Sequence, residues 1–399
     1  MSTLVKYRLN TWDYTFMLWF VSDVMFNHSL IGMLGQLIFV GYTLFKCFIH
    51  KEWHSSKMFY FYAAFCCITY GNIALGYSVQ PTVSNLMLNV ILRNFIFFYA
   101  LYQYLFKLDF PQFLYIFKKL CLISSLYLLI RTYQLTGTFL MREEGIDQGI
   151  NANIQSILNG FMVGFMFILK DYKSKRSLFE ILFFLLFIIL SGTKKSIISI
   201  VIIVGCFILL RNPSKILKNT CTLFILAVIG WLILMKIPFV YDMIGNRFES
   251  MFAFLEDAET DSSTNTRGKF IELGMIFWSK SPIWGNGLNS FGYLLGDQTT
   301  YSHSNYVELL CCTGILGLIS FYLIHAYALI NSFFKYIHSK KIEILLVFCI
   351  IASCLVNEYG IVIYFERMPF IMIVLAYSLL ANKRYTVPVS YTHLTLPTT

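Results

Sequence analysis

His303 stands in the stretch YSHSNYVELLCCTGILGLISFYL, Tyr301 to Leu323, at the start of an apolar run long enough to cross a membrane. Free N–H groups at a helix amino terminus, together with the helix dipole, favour a phosphate or carboxylate. An imidazole, with an ordinary pKa near neutrality, can take a proton from an attacking hydroxyl. Cations occur in three further places: Lys194 and Lys195 in LSGTKKSII, Arg267 with Lys269 in RGKFIELGMIFWSK, and Arg93 in LMLNVILRNFIFFYALYQYLF. Such groups stabilise the charge of a departing diphosphate. Gathered on one side of a membrane, they suit displacement of a pyrophosphate from an anionic lipid-linked substrate.

Each residue also has a plainer reading. Gly314 and Gly317 lie within about 40° of the direction of His303 on a helical wheel, so they form a groove that could admit a lipid tail, or simply a small-residue packing face. Lys194 and Lys195 sit between two apolar runs of about fifteen residues, each spanning about 22 Å against a hydrocarbon core of about 30 Å. They therefore either snorkel or line a cavity. Arg93 is a charge in the outer third of an apolar span and needs a partner or water. Lys269 reads as loop solvation and Arg131 as snorkelling. Asn305 as N-cap with Glu308 three residues on approximates a capping box, which gives Glu308 a structural role.

The elements that position these groups are membrane helices. The 399 residues are 57% hydrophobic and 18% aromatic, and the apolar runs are continuous rather than alternating, which selects helices over a barrel. Spans are expected near residues 12–27, 29–49, 58–78, 86–106, 116–136, 153–169, 178–191, 196–210, 219–239, 304–330, 342–357 and 362–381, twelve in all. With both termini cytoplasmic, the inner segments hold twenty of the 31 basic residues and six of the 21 acids, as the positive-inside rule requires. The formal net charge of +10 is then a topology signal directed at anionic lipids, not at nucleic acid. The first apolar segment lacks the small-residue site of a cleavable signal peptide.

Residues 1–384 read as a single integral membrane domain. Two outer connections are long: 137–152, with Arg142, Glu143, Glu144 and Asp147, and a large extracytoplasmic loop at 240–303. Within the latter, EDAETDSSTNT (256–266) has a solvated composition. Phe270, Leu273, Gly274, Ile276, Phe277 and Trp278 then recur at the spacing of an interfacial amphipathic helix, and SPIWGNGLNSFG reads as tight turns at the membrane surface. The ten cysteines fall mostly inside spans without paired C-x-x-C spacing, so neither a disulfide nor a metal site is expected. The tail 388–399, PVSYTHLTLPTT, resembles translated adapter sequence and reads as non-native.

His303-Ser304, nine residues, Gly314, two residues and Gly317 resemble the H-[NSQ]-x9-G-x2-[GTY] motif of the superfamily of O-antigen ligases and Wzy-type polysaccharide polymerases. The preceding RGKFIELGMIFWSKSPIWGNGLNSFG is similar to that family's basic residue, helix and Pro…Gly-x-Gly turn. LSGTKK resembles its Ser/Thr-Gly-Ser-Arg element with Lys194 in place of the usual arginine, which changes bidentate phosphate binding to a point charge. The resemblance runs over about 190–318. It implies a GT-C-like all-α polytopic fold with about twelve transmembrane helices, no cofactor and no metal. It further implies glycan transfer from an undecaprenyl pyrophosphate carrier at the outer face of a bacterial cytoplasmic membrane, producing capsule, exopolysaccharide or O-antigen. His303 would act as base or orient the acceptor. Arg267, Lys194, Lys195 and Arg93 would hold pyrophosphate, and Gly314 and Gly317 are the motif glycines. Expected partners are the lipid-linked oligosaccharide, membrane lipids, a chain-length regulator and a flippase.

Three alternatives stay open on the sequence. A ligase shares the motif and differs only in acceptor. A metal-dependent membrane glycosyltransferase needs acids in the first outer loop, where Asp23 is the sole candidate. A transporter or flippase explains twelve spans and a buried Arg93, but the chain shows no inverted repeat. The enzymatic reading requires Arg267 and Lys194 to gather beside His303 on the exterior half of the bilayer.

Overall fold

The computed structural model describes residues 7–26, 29–141, 152–170, 173–255, 262–297, 300–382 and 384. Arg142 to Asp147, most of the acidic stretch after Glu256 and the tail beyond 388 fall outside them. The described residues form helices and no strands: α1 Thr11–Met25, α2 Leu30–His50, α3 Lys57–Ala74, α4 Pro81–Lys107, α5 Phe110–Thr136, α6 Ala152–Ile168, α7 Lys175–Ser191, α8 Lys194–Arg211, α9 Ile216–Lys236, α10 Pro238–Val240, α11 Asn246–Leu255, α12 Ser262–Lys280, α13 Ser290–Leu295, α14 Asn305–Ser339, α15 Ile342–Asn357 and α16 Arg367–Ala381. A π-helical turn, Tyr241–Gly245, joins α10 to α11.

The twelve expected spans coincide with α1 to α9 and α14 to α16. Among the described residues, five helical stretches are long and apolar enough to cross a bilayer: α2, α4, α5, Pro213–Lys236 with α9, and α14. The other apolar helices run 15 to 18 residues. α9 contains no buried residue, and Phe224, Ile225, Ile229 and Leu232 are exposed. An apolar helix with nothing packed around most of it is stable where lipid covers it. The protein is an all-α polytopic membrane protein.

α15 and α16 lie at the centre. Every residue from Phe370 to Leu380 is buried, and α16 packs on α4, α14 and α15. α6 and α8 approach closely because Gly160 and Gly164 of α6 face α8. A Cβ on Gly160 would lie 2.7 Å from the Ser196 carbonyl oxygen, and one on Gly164 would lie 2.8 Å from Ile203, the close approach that small residues permit between membrane helices.

One helix departs from the expected geometry. α14 is interrupted at Gly314, whose φ of 63° and ψ of −168° lie in a region open essentially to glycine. The SPIWGNG turn fills the break. Ile315 and Leu316 N–H donate to the Pro282 and Ile283 carbonyls at 2.9 and 3.3 Å, while Asn286 and Gly287 N–H donate to the Cys311 and Cys312 carbonyls at 2.9 Å each. The turn is therefore seated in the helix, and the expected lipid groove at Gly314 is occupied by the protein's own backbone. Gly317 likewise faces Thr313, whose Oγ1 would lie 2.0 Å from an added Cβ.

α12 carries exposed apolar residues, Met275 and Ile276, on one side. It packs on the first segment of α14, where a Cβ on Gly274 would lie 2.3 Å from Val307.

Candidate functional site

His303 lies just outside α14, between two aromatic rings. Its imidazole stacks on Phe270 of α12 at 6.0 Å between centroids with a 10° interplanar angle, and meets Tyr301 at 4.3 Å. The backbone has φ +59°, an uncommon conformation for histidine that costs about 1–3 kcal/mol and persists where neighbours impose it. Those neighbours are the residues on either side. Ser302 N–H donates to Glu308 Oε2 at 2.8 Å. Asn305 N–H donates to the Glu358 carbonyl at 2.8 Å, its amide donates to Glu358 Oε2 at 3.0 Å, and its Oδ1 accepts from Ile363 N–H at 3.0 Å. Glu358 in turn lies 2.7 Å from His325 Nε2, both side chains fully buried. The N-cap is Ser304, with no side-chain cap bond, so the expected Asn305–Glu308 capping box is replaced by two carboxylate anchors flanking His303.

The electrostatics around the imidazole are positive. Burial, then the charges of Arg267 and Lys195, push the His303 pKa down to about 4. A ring neutral at pH 7 follows, though a weaker base than an ordinary imidazole. The Tyr301 hydroxyl is raised by partial burial and by the Glu366 carboxylate, with Arg267 opposing. Neither imidazole nitrogen bonds to another described residue, which leaves both available to a ligand.

Lys194 and Lys195 are the first residues of α8. Two cations there oppose the helix dipole and become favourable when an anion sits between them and the helix end. Lys195 is within electrostatic reach of Arg267 and His303, and its ammonium donates to the Gly360 carbonyl. Lys194 turns toward α11 and donates to the Arg247 carbonyl at 2.6 Å, while Arg247 returns a bond of 3.4 Å to Gly192. The turn carrying both lysines is fixed by hydroxyls. Ser191 donates to Ser156 at 2.9 Å, Ser156 meets Ser196 at 2.7 Å, and Thr193 donates to Asn153 at 2.8 Å.

Of the residues singled out from sequence, the fold thus gathers His303, Arg267 and Lys195, with Lys194 alongside. Arg93 is elsewhere. It is exposed, donates to the Asn89 carbonyl at 3.3 Å, and lines a cavity of about 570 Å3 with Asp23, Glu366 and Arg367. Lys269 is exposed, and Arg131 reaches Tyr127 one turn back at 3.4 Å. Sequence reasoning passed over Arg247, Phe270, Tyr301 and the Asn305–Glu358–His325 chain. Proximity to His303 pointed to Tyr301 and Asn305, and an isolated acid at the end of an apolar run pointed to Glu358. Nothing local marked Arg247.

A helical membrane scaffold with an imidazole, an arginine and lysines converging at one end of α8 and α14 defines a candidate anion-binding transferase site. Residues 179–322, which include His303, Arg267, Lys194 and Lys195, match the family model described as O-antigen ligase. Over that stretch, 144 of the 399 residues, the chain is similar to the O-antigen ligase family, in the superfamily that includes Wzy-type polymerases, whose members are glycosyltransferase-like enzymes. No curated protein matches the chain.

Proposed function

We propose that the protein is a membrane glycosyltransferase that joins undecaprenyl-pyrophosphate-linked oligosaccharide repeats at the outer face of a bacterial cytoplasmic membrane. The observation that carries this reading is the convergence of Arg267 and Lys195 on His303 within the family-matched stretch. The positive-inside distribution supports placing this end of the bundle outside the cytoplasm.

In the reaction, an acceptor sugar hydroxyl attacks the anomeric carbon of the donor glycan. The new glycosidic C–O bond forms as the bond to pyrophosphate breaks, and undecaprenyl pyrophosphate leaves. Lys195, Arg267 and Lys194 stabilise the charge that grows on the leaving diphosphate. His303 accepts the hydroxyl proton. Its low basicity before substrate binds rises once the diphosphate cancels the neighbouring cations, so substrate binding itself tunes the base. The two carboxylate anchors hold the imidazole at this position.

The test is reconstitution of the full chain with purified lipid-linked repeat, without added metal. A ladder of longer products is expected, and His303→Ala should abolish it. Full polymer length from that variant would remove His303 from the chemistry. The family description favours a second reading, transfer of finished glycan to a different acceptor. A single product formed only when a second glycolipid is added would select it.

A further inference from the structure

The cavity of about 570 Å3 that holds Arg93 lies between α1, α2, α4, α5, α6 and the start of α16. Its volume is in the range of small-ligand pockets. Its ionisable lining is Asp23, Glu366, Arg93 and Arg367, joined by the amides of Gln36 and Gln155. Two carboxyl groups face two guanidiniums, and burial with the charge of Asp23 pushes the Glu366 pKa up to about 7, so the cavity holds both signs and no excess of negative charge. Beside His303 the cations Lys194, Lys195, Arg247 and Arg267 outnumber the two buried carboxylates, Glu308 and Glu358. A diphosphate is therefore drawn to the cationic site and not to the cavity.

Some of this lining is already ordered. Asp23 and Arg367 are 3.4 Å apart, and the Arg367 guanidinium also donates to the Gln36 amide oxygen. The Glu366 carboxylate makes no hydrogen bond or ion pair with another described residue. An apolar lipid chain placed here would strip water from these groups and return nothing, at a cost of several kcal/mol. A polyol matches them, because carboxylates accept from hydroxyls while guanidiniums and amides donate or accept. The apolar remainder of the wall suits the C–H faces of a sugar ring.

Position supplies the last link. The Tyr301 hydroxyl senses Glu366 and Arg267 together, and its ring touches His303. Tyr301 is thus in contact with His303 on one side and within electrostatic reach of Glu366, a residue of the cavity wall, on the other.

We propose that this cavity receives the uncharged sugar end of the acceptor and delivers its attacking hydroxyl past Tyr301 to His303. The assignment rests on the transferase reading above. Glu366 is then a specificity-determining contact, with the lipid pyrophosphate of the donor held separately at Lys195 and Arg267.

Two probes separate these claims in the full chain in lipid nanodiscs: the free repeat oligosaccharide released from its carrier by mild acid, and undecaprenyl pyrophosphate. Glu366→Gln removes the charge without changing shape, and Val90→Phe narrows the cavity from α4. Glu366→Gln should weaken oligosaccharide binding roughly tenfold, the loss expected of one charge-assisted hydrogen bond, Val90→Phe should weaken it by filling the space, and both should leave undecaprenyl pyrophosphate binding unchanged. Arg267→Gln should do the reverse. Oligosaccharide affinity that is absent in the wild type, or untouched by both cavity variants, overturns the proposal. So does loss of undecaprenyl pyrophosphate binding in Val90→Phe, which would make the cavity a lipid site. If Arg267→Gln binds undecaprenyl pyrophosphate like the wild type, the transferase reading fails on its own, while the oligosaccharide measurement still decides the cavity. Thermal unfolding of each variant confirms that it is folded.

Discussion

Replacing Gly314 with alanine perturbs the point where the turn before His303 is seated in α14. At φ 63° and ψ −168° a side chain is strained by about 1–3 kcal/mol. An added Cβ would also lie 2.2 Å from the Ile283 carbonyl oxygen and 2.6 Å from the Gly285 nitrogen, both backbone atoms that cannot rotate away. The turn has to retreat, loosening the four backbone bonds that hold it at Ile315, Leu316, Asn286 and Gly287. At about 1 kcal/mol net for each bond, losing two to four of them with about 2 kcal/mol of strain gives roughly 4–6 kcal/mol. That is a large part of the stability of a typical domain, about 5–15 kcal/mol. The assay is thermal unfolding in detergent, followed by transfer activity normalised to the folded fraction. We expect Gly314→Ala to lower the transition strongly and to lose activity beyond its loss of folded protein, because α12 and the His303 segment both rest on the turn. Gly205 in α8 has no neighbouring atom within 4 Å of where a Cβ would stand, so Gly205→Ala should be neutral or slightly stabilising, by about 0.5–1 kcal/mol. Wild-type stability and activity in Gly314→Ala would refute the reasoning.

Further outcomes follow from the same site. Because His303 is depressed to about 4 by burial, Arg267 and Lys195, its neutral, proton-accepting form is present above that pH and lost below it. The acid limb of kcat/KM should fall near pH 4, and that of kcat should lie higher, since bound diphosphate offsets the cations; Arg267→Gln should move the free-enzyme limb upward. Limbs at about 6.5 in both parameters would contradict this. Glu358→Ala leaves Asn305 and the buried His325 without their carboxylate and should cost about 3–5 kcal/mol, read as a lowered unfolding transition, with reduced activity in whatever remains folded. Lys195→Met should raise the KM for lipid-linked donor roughly tenfold or more, the scale of a lost charged hydrogen bond, with partial rescue by Lys195→Arg; an unchanged KM would remove Lys195 from donor binding.

Membrane class, span positions and charge asymmetry were legible in the sequence, because hydrophobic length and loop charge are local properties that the bilayer reads segment by segment. The residue types of the site were legible for the same reason. His303 before an apolar run, Lys194 and Lys195 between two short runs, and Arg267 at the head of an amphipathic stretch each stand out against their immediate neighbours. What those residues touch was not. Lys195 finds the Gly360 carbonyl across 165 positions of chain, and Asn305 finds Glu358 across 53. Helical periodicity carries no record of such pairings. Gly314 shows the division most clearly. A glycine inside an apolar helix fits a smooth packing face and a break equally well, and only the docking of Pro282 to Gly287 against it selected the break. The tertiary structure also separated Arg93 from the other cations, because α4 places it on the wall of a cavity that Asp23 and Glu366 also line, a choice set by which helices pack together and not by the sequence around the arginine.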